Sequence, residues 1–190
     1  MTKIAIIYHS GYGHTKKLAE AVLSGAKQSK AECHLISVND VKDETWALLA
    51  SMDGIIFGSP TYMGGVAADF KKFADASSKP WFKQEWKDKI AAGFTNSSSM
   101  NGDKLSSLQY MWTLSQQHSM IWVGTGMMPA NSKAAKRNDI NYLGAFSGLM
   151  AQSPSDSTPE EGPLPGDLET AKLFGLRIAT VTQQFVKGRT

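Results

Sequence analysis

Between residues 9 and 15 the chain reads His9-Ser10-Gly11-Tyr12-Gly13-His14-Thr15, with glycines, hydroxyls and imidazoles crowded together just before a stretch of helical periodicity. The glycines permit a tight backbone turn, and Ser10 and Thr15 offer hydroxyls. The first N–H groups of a helix have no intrahelical acceptor, so such a segment can wrap an anion, and a phosphate is the anion that fits. Its type can be narrowed. Lys16 follows where a dinucleotide fingerprint wants a third small residue, and no Gly-Lys-Ser/Thr of a nucleotide-hydrolysing loop occurs. A phosphate held by backbone and hydroxyls, without Lys or Mg²⁺, suits a permanently bound monoester. Any strand-to-helix turn also favours glycine and a capping hydroxyl, so a plain turn stays open on this segment alone.

Two further segments share this character: Ser59-Pro60-Thr61-Tyr62-Met63-Gly64-Gly65 and Thr95-Asn96-Ser97-Ser98-Ser99-Met100-Asn101-Gly102. Brought together, the three could surround a flat, polar-rimmed heterocycle, with glycines allowing close backbone approach and hydroxyls and amides supplying hydrogen bonds.

The elements that must position them follow from periodicity. Short apolar runs at 3–8, 32–38, 54–58, 89–94 and 120–123 read as strands; amphipathic stretches at 15–29, 44–51, 66–76, 103–117 and 168–186 read as helices. Strict alternation of strand and helix predicts an α/β fold, a doubly wound, flavodoxin-like three-layer sandwich on a five-stranded parallel sheet of order 2-1-3-4-5. In such sheets ligands bind beyond the carboxyl ends of the strands, where the three segments fall. Residues 124–166, rich in Pro, Ser, Asn and Gly, read as one long loop after the fifth strand. A loop of more than about 15 residues is usually functional or mobile, so it is either an active-site lid or subunit contact, or a disordered insertion.

Composition bounds the rest. A chain of 190 residues, 42% hydrophobic, reads as a single domain over 1–190 that buries a core without staples. One cysteine, Cys33, excludes an intrachain disulfide and points to a reducing cytoplasm. No apolar run approaches the roughly 18 residues of a membrane span, and the N-terminal residues lack a signal-peptide pattern. The formal charge of +3 is too small and dispersed for a nucleic-acid surface. No metal site is expected: Cys33 and His34 are strand neighbours and point to opposite faces.

The segments Tyr8–His14, Ile55–Thr61, Phe94–Gly102 and His118–Ile121 together resemble the flavodoxin-like FMN oxidoreductases, and most of all the WrbA-type NAD(P)H:quinone oxidoreductases. The resemblance spans nearly the whole chain and implies FMN as cofactor and NAD(P)H as co-substrate. It places the FMN phosphate on Ser10, Gly11, Tyr12, Gly13, His14 and Thr15. It lines the ring with Pro60, Thr61, Tyr62, Met63 and Gly64, and continues the ring and ribityl contacts through Asn96, Ser97, Ser98, Ser99, Met100 and Asn101. Gln117 or His118 would reach the flavin, Tyr12 would lie near the nicotinamide and Trp81 near the quinone. The implied activity is ping-pong reduction of a quinone, in a homodimer or homotetramer. Tyr62-Met63-Gly64-Gly65 departs from the family's usual Arg, aromatic, Gly, Asn at this place, and Gln117-His118 stands where the family has a histidine pair.

Each residue also has a plainer reading. His14 could simply cap a helix, and His118 could complement a helix dipole. Trp81, Phe82 and Trp86 could be core or interface, as could Met111, Met120, Met127, Met128 and Met150. Lys133, Lys136 and Arg137 could meet the 2′-phosphate of NADPH or form a solvated loop face. At the level of function, the alternatives are a one-electron flavodoxin carrier, which the basic balance disfavours, and an FMN-bound regulatory or scaffold protein with little turnover. A phosphorelay receiver fails for lack of the acidic cluster, and a serine hydrolase for lack of Gly-x-Ser-x-Gly.

Overall fold

Alternating apolar residues in the first strand, β1 (Lys3–Tyr8), divide the core in two. Ile4 and Ile6 face one side and Ala5 and Ile7 the other, as a period of two requires. The computed structural model, which describes residues 1–189, builds a layer of helices on each of these faces. On the first lie α1 (His14–Gln28) and α6 (Pro165–Gly188), which contribute Leu18, Val22, Phe174 and Ile178 to a core shared with Ile56 and Phe94. On the second lie α2 (Asp43–Ala50), α3 (Ala68–Ala76) and α5 (Lys104–Gln117), with Leu49, Phe70, Phe73 and Met111 around Phe57 and Trp86.

The helices α1 and α6 touch backbone to backbone. A Cβ added at Gly25 would sit 1.8 Å from the Lys172 carbonyl oxygen, and one at Gly175 would sit 2.0 Å from that of Val22. Only glycine fits at either crossing point.

The sheet continues through β2 (Glu32–Ser37), β3 (Gly54–Tyr62), β5 (Ile90–Ser97) and β6 (Ile121–Trp122) in the order β2-β1-β3-β5-β6, all parallel. With the two-residue β4 (Gly65–Val66) set aside, this is the expected order 2-1-3-4-5. Two strands run further than expected: β3 extends to Tyr62 and β5 to Ser97, so the polar segments begin inside the sheet. A short helix α4 (Ser78–Phe82) was not visible in the periodicity.

The region 124–166 is not one loop. It returns to the sheet as β7 (Leu149–Gln152), which pairs with Phe94–Ser97 of β5 while β6 pairs with Ile90 and Ala91. Two short strands thus share one edge position, on either side of Gly93. The Trp122 ring fills the space beside Gly93, where a Cβ would meet it at 2.7 Å, and its indole N–H donates to the Ser147 carbonyl (2.7 Å). The intervening segment is pinned rather than loose. Buried Asn141 donates from Nδ2 to the Met127 and Ala145 carbonyls and accepts from Ala145 N (3.0 Å). Arg137 grips the Asp167 carboxylate with two nitrogens at 2.8 and 2.7 Å.

Candidate functional site

The carboxyl end of β1 feeds a turn that ends in Gly13, whose φ of +92° is a left-handed conformation open to glycine at little cost. Ser10 Oγ accepts hydrogen bonds from the N–H groups of Gly13 and Lys16, each at 3.1 Å. The hydroxyl proton of Ser10 is therefore left to donate outward. The N–H groups of His14 and Thr15 open the helix and have no intrahelical acceptor. His14 Nδ1 donates to the Gly162 carbonyl (2.8 Å), tying the loop to the chain before α6.

The second wall comes from β3. Thr61, buried, bonds through its hydroxyl to Thr95 Oγ1 (2.8 Å) and Ser107 Oγ (2.7 Å), which locks the ends of β3 and β5 to α5. Beyond it Tyr62 and Gly65 flank a two-residue hairpin in which Met63 and Gly64 have φ of +46° and +78°. Positive φ at both central residues is what a tight type I′ hairpin needs. Ser106 Oγ holds this hairpin by donating to the Gly64 carbonyl. Tyr62 turns back over the first loop. Its ring meets that of Tyr12 edge-on at 6.1 Å, and a Cβ at Gly11 would lie 2.7 Å from its hydroxyl. Partial burial and the neighbouring Tyr12 raise the Tyr62 phenol above its ordinary range.

The third wall is the end of β5. Asn96 is buried and accepts from Ser153 Oγ through Oδ1 (3.1 Å), while the Ser98 carbonyl accepts from Gln152 Nε2 (2.7 Å). These partners belong to β7 and the residues after it. They bring in a fourth wall, Ser153, Pro154, Ser155 and Ser157, which the reading of motifs did not single out. Their Ser-Pro composition and their position in a long segment leaving the sheet's carboxyl edge were the available signal.

The walls enclose a cleft of about 380 Å³, lined by Tyr12, His14, Thr15, Pro60, Thr61, Tyr62 and Asn96 to Ser98 as well as the fourth wall. Among the described residues no Asp, Glu, Lys or Arg lines it. An anion here would be met by N–H groups, hydroxyls and His14, which suits a phosphate monoester at one end and an uncharged, hydrogen-bonding ring at the other. Ser10, Gly11 and Gly13 form the loop beneath. Met63, Gly64, Ser99, Met100 and Asn101 lie on the loops that rim the cleft rather than in its lining.

Trp81, Gln117 and His118 are not brought there. They line a separate cavity with Ser77, Tyr110 and Leu114, at the far end of α5, whose 14 residues span about 21 Å. Contact of Gln117 or His118 with a flavin in the same chain's cleft does not fit this placement. His118 is buried, stacked on Trp86 at 4.1 Å, and donates from Nε2 to Ser77 Oγ (2.9 Å), since that hydroxyl donates to the Ala74 carbonyl. Its Nδ1 is buried without a partner, and desolvation pushes its pKa down to about 4. Arg137 likewise is engaged with Asp167 and not free for a 2′-phosphate, while Lys133 and Lys136 are exposed.

The profile of the family described as NADPH-dependent FMN reductase matches residues 2–135. Flavodoxin FldP of Pseudomonas aeruginosa is 50% identical over 184 residues, 97% of this chain and 98% of its own length. The NAD(P)H dehydrogenase (quinone) 3 of Rhizobium meliloti is 28% identical over 207 residues, covering 100% of this chain and 96% of its own. Among solved structures, the flavodoxin, WrbA-like protein from Agrobacterium tumefaciens superposes with a TM-score of 0.77 at 43% identity, covering 97% of this chain and 99% of that one. The polar cleft at the sheet's carboxyl edge and these likenesses lead to one conclusion: the chain belongs to the NADPH-dependent FMN reductase family, as a flavodoxin-like FMN oxidoreductase.

Proposed function

We propose that the protein is an NAD(P)H:quinone oxidoreductase working by a ping-pong sequence in the one cleft. The observation that carries this reading is a cleft that no Asp, Glu, Lys or Arg lines among the described residues, walled by hydroxyls and amides, with an exposed tyrosine at its mouth. Held there, FMN would supply hydride chemistry, accepting two electrons and a proton from NAD(P)H and delivering them to a quinone, whose second proton comes from solvent. The chain's own contribution is orientation. The Ser10 hydroxyl and the N–H groups of His14 and Thr15 bind the phosphate; Thr61, Tyr62 and Asn96 to Ser98 fix the ring. Tyr12, 76% exposed, offers a flat apolar surface beside Tyr62 on which nicotinamide or quinone can stack. Both substrates would use this one cleft, so one leaves before the other enters. The same reading takes residues 1–190 as one domain, a cytoplasmic location and a homodimer or homotetramer.

The test is anaerobic mixing of FMN-loaded protein with NADPH or NADH. Bleaching of the flavin absorbance, its return on adding benzoquinone, and parallel double-reciprocal plots support the proposal; no bleaching by either nucleotide overturns it. A second reading, a one-electron carrier, draws on the name of the 50% identical relative. It expects no direct oxidation of NAD(P)H and a partner reductase in its place.

A further inference from the structure

The first residue of α5, Lys104, is completely buried, although lysine is among the residues least often found without exposure. Its ammonium lies under the loop that ends β5. It donates to Ser97 Oγ (2.7 Å) and to the Ser99 carbonyl, and Ser97 Oγ itself donates to that carbonyl (3.2 Å). The loop closes tightly around this point: Gly102 has φ of +54°, and a Cβ there would sit 2.3 Å from Ser97 Oγ. Ser97 and Ser98 line the cleft directly, so the lysine holds the far side of a wall whose near side faces FMN.

Charged groups from each neighbouring element bear on it. Asp167 at the start of α6 attracts the ammonium and Arg137 of the segment before β7 repels it, while exposed Asp103 precedes it in the chain. Arg137 and Asp167 neutralise each other in their two-pronged contact. Lys104 is left as a surplus buried cation behind a cleft that receives an anionic ligand. A buried charge that is neither surface ornament nor part of a balanced pair costs stability, and is retained only if something offsets that cost.

We propose that Lys104 is a positioning residue for FMN, whose protonated amine clamps the Ser97–Gly102 loop in its cofactor-binding shape, so that the charged lysine favours FMN binding and the neutral one weakens it. Bonds from an ammonium to a hydroxyl and a carbonyl are stronger than those from a neutral amine, and the positive charge favours an anionic ligand nearby. Burial pushes the Lys104 pKa down to about 8, which brings this switch into an accessible range. The signs follow. In the free protein the ammonium is disfavoured, and raising the pH above about 8 removes it; FMN, which favours the ammonium, must bind more weakly as the proton leaves. A single linked proton with this pKa weakens binding about tenfold between pH 7 and pH 9 at most.

The experiment is an FMN titration of apoprotein, followed by flavin fluorescence quenching from pH 6.5 to 9.5, for the wild type, Lys104→Met and Lys104→Arg. The wild type is expected to lose about tenfold in affinity across the alkaline limb. K104M should bind at least about tenfold more weakly at pH 7 and show no alkaline limb. K104R, whose charge persists through this range, should bind nearly as tightly as wild type at pH 7 and also lack the limb. An affinity of K104M within about twofold of wild type, or an alkaline limb that survives in K104R, overturns the proposal. The arginine variant keeps the test decisive if the methionine variant does not fold.

Discussion

Replacing Ser10 by alanine separates two roles that its hydroxyl plays at once. Towards the protein, Ser10 Oγ accepts from Gly13 N and Lys16 N, both at 3.1 Å, a capping interaction worth about 1 kcal/mol when the freed N–H groups can turn to water. In a chain of this size that corresponds to a fall of about 2–4 °C in melting temperature. Towards the cofactor, the same oxygen has one proton left to donate, and a hydrogen bond to a charged phosphate contributes about 2 kcal/mol, or roughly thirtyfold in the dissociation constant. Ser10→Ala should therefore melt only slightly below wild type as apoprotein, yet bind FMN about thirtyfold more weakly. Ser10→Thr, which retains the hydroxyl, should recover most of the affinity. The assays are thermal melting of the apoprotein and fluorescence titration with FMN. An S10A affinity within about threefold of wild type would refute the assignment of the phosphate to this loop.

Other perturbations test the frame around the cleft. Gly25→Ala forces α1 and α6 apart at a 1.8 Å contact, an overpacking cost of about 3 kcal/mol, and should lower the melting temperature by roughly 6–12 °C. Arg137→Met leaves the Asp167 carboxylate buried with the Gln152 N–H as its one remaining donor among the described residues, so a loss of about 3 kcal/mol is expected in denaturant unfolding. His118, held neutral by burial with a pKa of about 4, binds its proton more readily when unfolded. Its contribution is fully present above pH about 6.5 and fades as the pH falls from there towards 4. His118→Phe, which preserves the stacking on Trp86, should flatten that part of the acid limb in a series of melting curves. Met63→Asn relieves an exposed left-handed residue in a hairpin that prefers Asn-Gly, and should raise the melting temperature by about 1–3 °C.

What the sequence revealed depended on whether periodicity or tertiary pairing decided each element. β1, α1 and α3 carry their own patterns, and their bounds fall within two residues of expectation. The ends of β3 and β5 were hidden because Ser59, Thr61, Thr95 and Asn96 look like loop residues; they are buried because their polar groups bond to partners distant in sequence, such as Thr61 with Ser107. β7 was missed for a related reason: four residues among glycines, serines and prolines become a strand only when β5 offers an unpaired edge. The three loops that wall the cleft were legible, since turn glycines and hydroxyls announce themselves locally. Lys104 and the fourth wall were not, because neither a buried ammonium nor a cleft-facing serine run leaves a periodic trace. Trp86 and Met111 proved to be core, as their plainer reading held, whereas Phe82 and Met128 stand exposed.

The division of one sheet edge between β6 and β7 leaves the exposed residues 131–134, between the pinned parts of the segment, an unusual freedom. The segment around them is anchored to β5 at both ends and pinned by Arg137 and Asn141, so extra residues at 131–134 lengthen a surface loop without moving these anchors, and doubling a flexible loop costs only about 0.6 kcal/mol. An insertion inside β7 is another matter. The pairing of Ala151 with Asn96 and of Gln152 with Ser97 sets where Ser153 leaves the sheet, and a shift by two residues would carry it roughly 7 Å along the strand. Length can therefore vary at residues 131–134 while the four residues of β7 act as a gauge, delivering the serine run to the cleft at a constant height.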